Sequence, residues 1–190
     1  DLNGHMLKIS GNFYVASGDV KINGGTLDVG GDLLYRSLIY NESGSIRSYD
    51  YSTGTLTMTK SEDMVLVGGN FEMYSIQDMR GKLTDGIIEI KGNFRQYYSN
   101  NNYYGYPADG NHKTIFSGTK KQTIYFSNYT YSYFNNLQIL NTSAEGIELQ
   151  SDMQIKKSVS DPNRKIGKSY KAYISGIEVI EGDTYGGNIE

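Results

Sequence analysis

Apolar and polar residues alternate in short runs along the chain, and one arrangement of them recurs. Its register is apolar–x–apolar–x–Gly–(Asn/Asp)–(Phe/Leu). Leu7-Lys8-Ile9-Ser10-Gly11-Asn12-Phe13 and Leu27-Asp28-Val29-Gly30-Gly31-Asp32-Leu33 are the first two copies. Val65-Leu66-Val67-Gly68-Gly69-Asn70-Phe71 and Ile88-Glu89-Ile90-Lys91-Gly92-Asn93-Phe94 are the next two. Thr114-Ile115-Phe116-Ser117-Gly118 is a weaker fifth, without the Asn/Asp. The glycines at 11, 31, 69 and 92 are separated by steps of 20, 38 and 23. The long middle step predicts a degenerate or skipped copy between 34 and 60.

Alternation with period 2 makes each copy a strand with one buried face. Gly followed by Asn or Asp turns the chain sharply, and the following Phe or Leu returns to the core. Shorter strands lie between copies, at Val20-Lys21-Ile22 and Leu56-Thr57-Met58. No segment carries a 3.6 period over 11 or more residues, and helix caps are absent. The pattern predicts an all-β protein, a parallel β-solenoid (β-helix) of short strands bent at Gly-Asn/Asp corners. At ~20–25 residues per turn and about 4.8 Å between strands, the chain would make roughly eight turns, on the order of 40 Å in length. The alternative is a β-sandwich or jelly roll, which has turns at 8–12-residue spacing but does not explain the repeated unit.

Two stretches interrupt the repeat. Residues 35–53 are polar and rich in Ser and Tyr, and predict a projecting hairpin or arm. Residues 97–111 (YYSNNNYYGYPADGN) predict a loop. The expected organisation is one domain over 1–180, with 156–180 as a C-terminal cap, and a tail or linker remnant over 181–190. Tyr173-Ile174 and Ile177 to Ile180 are the expected final strands. The opening at Asp1, without a leader, reads as a fragment or a mature segment.

Composition narrows the function. The chain has 190 residues, 23 Gly, 18 Tyr, 2 Pro and a formal charge of −3. A mildly acidic chain without basic runs argues against nucleic acid as a partner. No apolar run approaches the roughly 18 residues of a membrane span, so no membrane insertion is expected. The absence of Cys removes disulfides, thiol nucleophiles and thiolate zinc sites.

The segment Asp1-Leu2-Asn3-Gly4-His5-Met6-Leu7-Lys8-Ile9-Ser10-Gly11-Asn12 resembles a β-solenoid-like repeat module of large Gram-positive bacterial cell-surface proteins. The resemblance continues through 51–58, 63–71, 91–94, 111–124 and 133–139, and covers about residues 1–155. It implies an extracellular, cell-surface module beside adhesion or carbohydrate-active modules of the same chain. It transfers no catalytic residues.

Candidate chemistry is sparse. A polysaccharide lyase or hydrolase on this scaffold would need converging carboxylates. Asp32 stands where Asn12, Asn70 and Asn93 stand in other copies, which makes it a turn-former, and Glu62-Asp63 reads as a turn before a strand. Thus no catalytic residue and no cofactor are expected. His5 and His112, in similar Asn-Gly and Gly-Asn contexts, are the only histidine pair a metal could use, and turn roles account for both, so no metal site is assigned. Thr53, Thr55, Thr57 and Thr59 line one strand face, read as a single solvated face. Tyrosine carries the functional content. Tyr97, Tyr98, Tyr103, Tyr104 and Tyr106, with Asn101 and Asn102, are the predicted ligand-binding residues. Tyr offers a flat apolar face to a sugar ring, and Asn offers donors and acceptors to its hydroxyls. The reading is a non-catalytic adhesion or carbohydrate-binding module whose partner is a polysaccharide or surface glycan. Its rivals are a purely structural rod or spacer, with tyrosines stacked as ladders, and a polysaccharide-active β-helix enzyme.

Overall fold

The computed structural model describes residues 1–97, 104–161, 166 and 170–174, and the backbone alone of 177–178 and 188–189. Among the described residues there is no helix, and most of the strands pair in parallel. Each copy of the repeat contributes one strand before its Gly-Asn/Asp corner and one after it. The strands before the corner are β1 (Met6–Ile9), β4 (Thr26–Val29), β8 (Met64–Val67), β10 (Ile87–Ile90) and β12 (Lys113–Phe116). They stack in that order in one ten-stranded sheet, continued by β14 (Phe134–Ile139), β16 (Met153–Ser160) and β17 (Ala172–Ile174). The strands after the corner form a second parallel sheet: β2 (Phe13–Tyr14), β5 (Leu33–Tyr40), β9 (Phe71–Met73), β11 (Phe94–Gln96), β13 (Gln122–Phe126) and β15 (Ile147–Leu149). A third, two-stranded sheet pairs β3 (Ser17–Lys21) with β7 (Thr53–Thr57), in parallel.

Register follows the repeat. Leu27, Val65 and Ile88 share one inward column, and Val29, Val67 and Ile90 a second. In the second sheet Leu33, Phe71, Phe94 and Ile124 are aligned, with the Phe71 and Phe94 rings stacked at 5.7 Å. These side chains are buried and form one continuous core between the sheets. Full burial of each such side chain contributes about 1.5–3 kcal/mol, so alternation alone goes far toward holding the strands in register.

The corner residues do more than turn the chain. Asn12 Oδ1 accepts from the Asp32 N–H at 2.8 Å, Asp32 Oδ1 from Asn70 at 2.6 Å, Asn70 Oδ1 from Asn93 at 2.8 Å, and Asn93 Oδ1 from Thr123 at 2.7 Å. One polar column thus runs up the outside of the core, each link using the side-chain oxygen that only Asn or Asp carries at this reach. The preceding glycines make room for it. A Cβ on Gly92 would lie 2.4 Å from the Gly69 carbonyl carbon and oxygen. In the fifth unit the corner is a loop over 117–121, and the Gln122 side chain replaces the missing residue, donating to Gly92 O at 2.5 Å and Ile90 O at 3.1 Å.

Two expectations change. The long step between the second and third glycines holds no skipped copy, because β4 pairs directly with β8, Thr26 opposite Met64. The extra residues form the predicted hairpin, in which β5 returns antiparallel as β6 (Ile46–Tyr51). A hairpin projecting outward uses no stacking position, which is why the spacing misleads. The 97–111 stretch is a loop only in part: Pro107 bridges to Tyr133, and Tyr106 and Ala108 are buried in the core. At the C-terminal end β17 joins the first sheet in parallel, and β18 (Ile177–Glu178) and β19 (Asn188–Ile189) pair antiparallel with β17 and β16. The remainder of 181–190 lies outside the described residues.

Candidate ligand-binding face

The outer face of the second sheet carries the side chains that the core does not take. Leu34, Glu72, Arg95 and Tyr125 follow one another up this face, with Tyr14 beside Leu34 at the edge. Two residues beyond Glu72 and Arg95 stand Tyr74 and Tyr97, which complete a chain of ring contacts from Tyr51 of the hairpin strand β6 to Tyr125. Tyr51 and Tyr74 have ring centroids 4.2 Å apart, Tyr74 and Tyr97 5.4 Å, and Tyr97 and Tyr125 5.7 Å. Desolvation, and then the hydrogen bond with Tyr51, push the Tyr74 phenol up to about 12, so it stays protonated and able to donate.

The hairpin forms one wall of a groove along this face. Arg36, at its base, pairs with Glu72 and lies 4.4 Å under the Tyr49 ring of the returning strand. The ion pair is sheltered, with side-chain exposures of 17% and 10%. A hollow of about 310 Å³ is lined by Arg36, Tyr49, Glu72, Tyr74 and Tyr97. A neighbouring one of about 330 Å³ shares Arg36, Tyr49 and Glu72 and extends past Tyr14, Leu34 and Arg95 toward the corner column. The groove therefore combines aromatic faces, a fixed guanidinium–carboxylate pair, and Arg95, which is exposed. Such a mixture can hold a ring edge-on while offering charged donors and acceptors to its substituents.

The predicted contact residues are placed unevenly. Tyr97 is half-buried and lines the groove. Tyr104 is also half-buried, capped by the Arg80 guanidinium at 4.1 Å and set against Tyr131 at 5.2 Å. Tyr98, Asn101, Asn102 and Tyr103 lie outside the described residues. Tyr106 is a correction: it is fully buried, packed edge-on against Phe94 at 5.0 Å and Phe71 at 5.8 Å, and cannot face a ligand. Its hydroxyl meets Thr114 Oγ1 at 2.9 Å and His112 Nε2 at 3.4 Å, which satisfies the only polar atom of a large apolar ring. Burial drives its pKa upward.

The two histidines do not form a pair. They stand in one column, since His5 precedes β1 as His112 precedes β12, with Gly25, Asp63 and Gly86 in the intervening units. Four strand spacings separate them, roughly 19 Å. His112 is buried, its Nδ1 is 2.9 Å from Asp85 O, and desolvation lowers its pKa to about 4. The carboxylates weighed above serve the backbone: Asp63 accepts from the N–H groups of Gly24, Thr59 and Lys60 at 2.5, 2.7 and 3.0 Å, and Asp32 accepts from Asn70. Asp28 pairs with Lys8 at 3.1 Å. Thr55 and Thr57 both donate to Asp19, at 2.7 and 2.9 Å. Among the described residues no three His, Asp or Glu side chains gather as a metal site would require.

Arg36, Tyr49 and Glu72 were not singled out from sequence, because Arg36 and Tyr49 lie on the two strands of the hairpin and Glu72 lies in the following unit. The tyrosines left a trace: Tyr51, Tyr74 and Tyr97 are spaced by 23 residues, as are Gly69 and Gly92. Comparison with protein-family models, with curated proteins and with solved structures found no match.

Proposed function

We propose that this protein is a non-catalytic, extracellular β-solenoid module of a bacterial surface protein that binds glycan chains along the tyrosine-lined groove. Its partners are polysaccharide strands and the flanking domains of its own chain. The solenoid reading is supported by the parallel order of the two sheets and the unit-to-unit register. An antiparallel sandwich does not account for either. The observation that carries the binding reading is the groove between the hairpin and the tyrosine row. Tyr74 and Tyr97, with ring centroids 5.4 Å apart and planes nearly perpendicular, give the groove aromatic surface, and the Arg36–Glu72 pair gives a polar floor held by its own ion pair. The hollow of about 310 Å³ falls at the lower end of the size range of small-ligand sites. Tyr98, Asn101, Asn102, Tyr103 and Tyr104, which follow Tyr97 in the chain, are proposed to extend the contact.

One observation favours the spacer. The tyrosines touch one another in sequence, as rings that merely cover strand ends would. Binding to a panel of plant, host and bacterial-wall polysaccharides separates the readings. The variant Tyr74→Ala/Tyr97→Ala, checked for folding by circular dichroism, should lose binding. Tyr40→Ala, near the hairpin tip and away from the groove, should keep it. Binding by no member of the panel, or equal binding by both variants, overturns the glycan reading.

A further inference from the structure

One end of the molecule is built as an interior. The strands β1, β2 and β3 are the terminal members of their three sheets at the same end of the molecule. The side chains there belong to core columns yet are open: Leu7, aligned with the fully buried Leu27, is 42% exposed, and Ile9 and Phe13, aligned with the buried Val29 and Leu33, are only half-buried. The backbone is equally unfinished. In the second unit the N–H groups of Thr26, Gly30 and Asp32 donate to His5 O, Ile9 O and Asn12 Oδ1 of the unit before. The matching N–H groups of Met6, Ser10 and Asn12 have no acceptor among the described residues.

The glycines supply an independent observation. Gly31, Gly69 and Gly92 must lack a Cβ because the previous unit's corner passes within 2.9 Å of where it would be. Gly11 occupies the same position in the first unit, and a Cβ there would meet nothing within 4 Å. Nor does its backbone sit in the left-handed region that favours glycine. The requirement for glycine at 11 is unexplained unless another corner lies against it.

We infer that the β1–β2–β3 edge is a docking surface for one further strand–Gly–(Asn/Asp)–strand unit of the chain's own pattern, laid parallel and entering through Leu2. The path is already marked. Leu2 N–H donates to Lys21 O at 2.9 Å and Gly4 N–H to Asn23 O at 3.1 Å, so residues 2–4 run along the end of β3 as a preceding unit would. The docked corner supplies what Asn12 lacks, an Asn or Asp side-chain oxygen, and its apolar residues close the core over Leu7 and Phe13. Recognition is by main-chain pairing for affinity and by the Gly-Asn/Asp corner for register. It stands apart from the glycan reading and does not require it.

The test is a chain with a copy of residues 64–81 joined ahead of Asp1, compared with the 190-residue chain. Met58, bridged to Leu83, also receives the Ile22 column, so Asp1 takes the place of Lys82 in this join. Hydrogen exchange at the amides of Met6, Ser10 and Asn12 should slow at least tenfold in the extended chain, and not with a scrambled prefix. Gly11→Ala, harmless in the 190-residue chain, should lower the unfolding midpoint of the extended one. Unchanged exchange, or a Gly11→Ala equally harmless in both, overturns the inference. So does concentration-dependent protection of these amides in the unextended chain, which would assign the edge to a second copy.

Discussion

Gly92→Ala and Gly11→Ala make the same chemical change at the same place in the repeat, in two surroundings. At 92 the new methyl carbon would sit 2.4 Å from the Gly69 carbonyl carbon and oxygen and 2.7 Å from Asn70 N. These are backbone atoms that cannot rotate away, so the third and fourth units must part by about 1 Å at the corner, an overpacking that costs about 1–3 kcal/mol. That separation also stretches the bonds from Gly92 N–H to Gly69 O and from Asn93 N–H to Asn70 Oδ1, both 2.8 Å, each contributing about 0.5–1.5 kcal/mol. The loss should total about 2–6 kcal/mol, or roughly 4–24 °C in the unfolding midpoint of a chain this size. At Gly11 the methyl meets nothing, and restricting the unfolded chain should leave the variant neutral or stabilised by up to about 1 kcal/mol. Paired urea titrations followed by circular dichroism measure both. Equal midpoints for the two variants, or a Gly92→Ala loss below about 1 kcal/mol, would refute the close approach of the corners.

Further outcomes follow from the polar groups. His112 is held neutral with its pKa near 4, against about 6.5 unfolded, so the unfolded chain binds more protons between these values and stability falls as pH drops through that window. The contribution is about 3 kcal/mol, complete above pH 6.5 and lost by about pH 4, and the pH dependence of unfolding should flatten correspondingly in His112→Gln. Asn70→Ala removes the acceptor of the Asn93 N–H and should cost about 1–2 kcal/mol by thermal unfolding, whereas Asn70→Asp should be nearly neutral because Asp32 already serves in the same column. Glu72→Ala strands the sheltered Arg36 and should cost about 3 kcal/mol by chemical denaturation, while Asp28→Asn, whose partner Lys8 is well exposed, should change stability by less than about 1 kcal/mol.

The strands and their inward faces were legible because alternation is a local property: Leu27 and Val29 announce their burial without reference to any neighbour. The corner was legible as a turn, but the use of Asn12, Asp32, Asn70 and Asn93 as a column depends on what passes beside them, and that is set by register between units 20–38 residues apart. The hairpin was foreseen from its composition, while its effect on spacing was misjudged, because a counted interval does not say whether residues stack or project. Tyr106 was misread for a related reason. Its neighbours Asn100 to Asn102 are polar, yet Tyr106 and Ala108 alternate inward ahead of His112, and the buried Thr114 hydroxyl satisfies the phenol. Of the groove, Tyr97 was named and Arg36, Tyr49, Glu72 and Tyr74 were not, since only folding brings the hairpin over the neighbouring unit.

The β5–β6 hairpin leaves the sheets as though it were not there: Thr26 and Met64 are direct neighbours across it, with 37 residues between them in the chain. Scaffold and groove wall can therefore vary independently. A hairpin of different length or sequence grafted between Arg36 and Tyr51 would change what the groove admits without disturbing the column of corners that holds the units in place. On the proposed function, selection acting on ligand preference would then find its raw material in an insert outside the column of corners, and homologous chains with the same corners and unrelated hairpins would be expected to differ in what they hold rather than in how they are built.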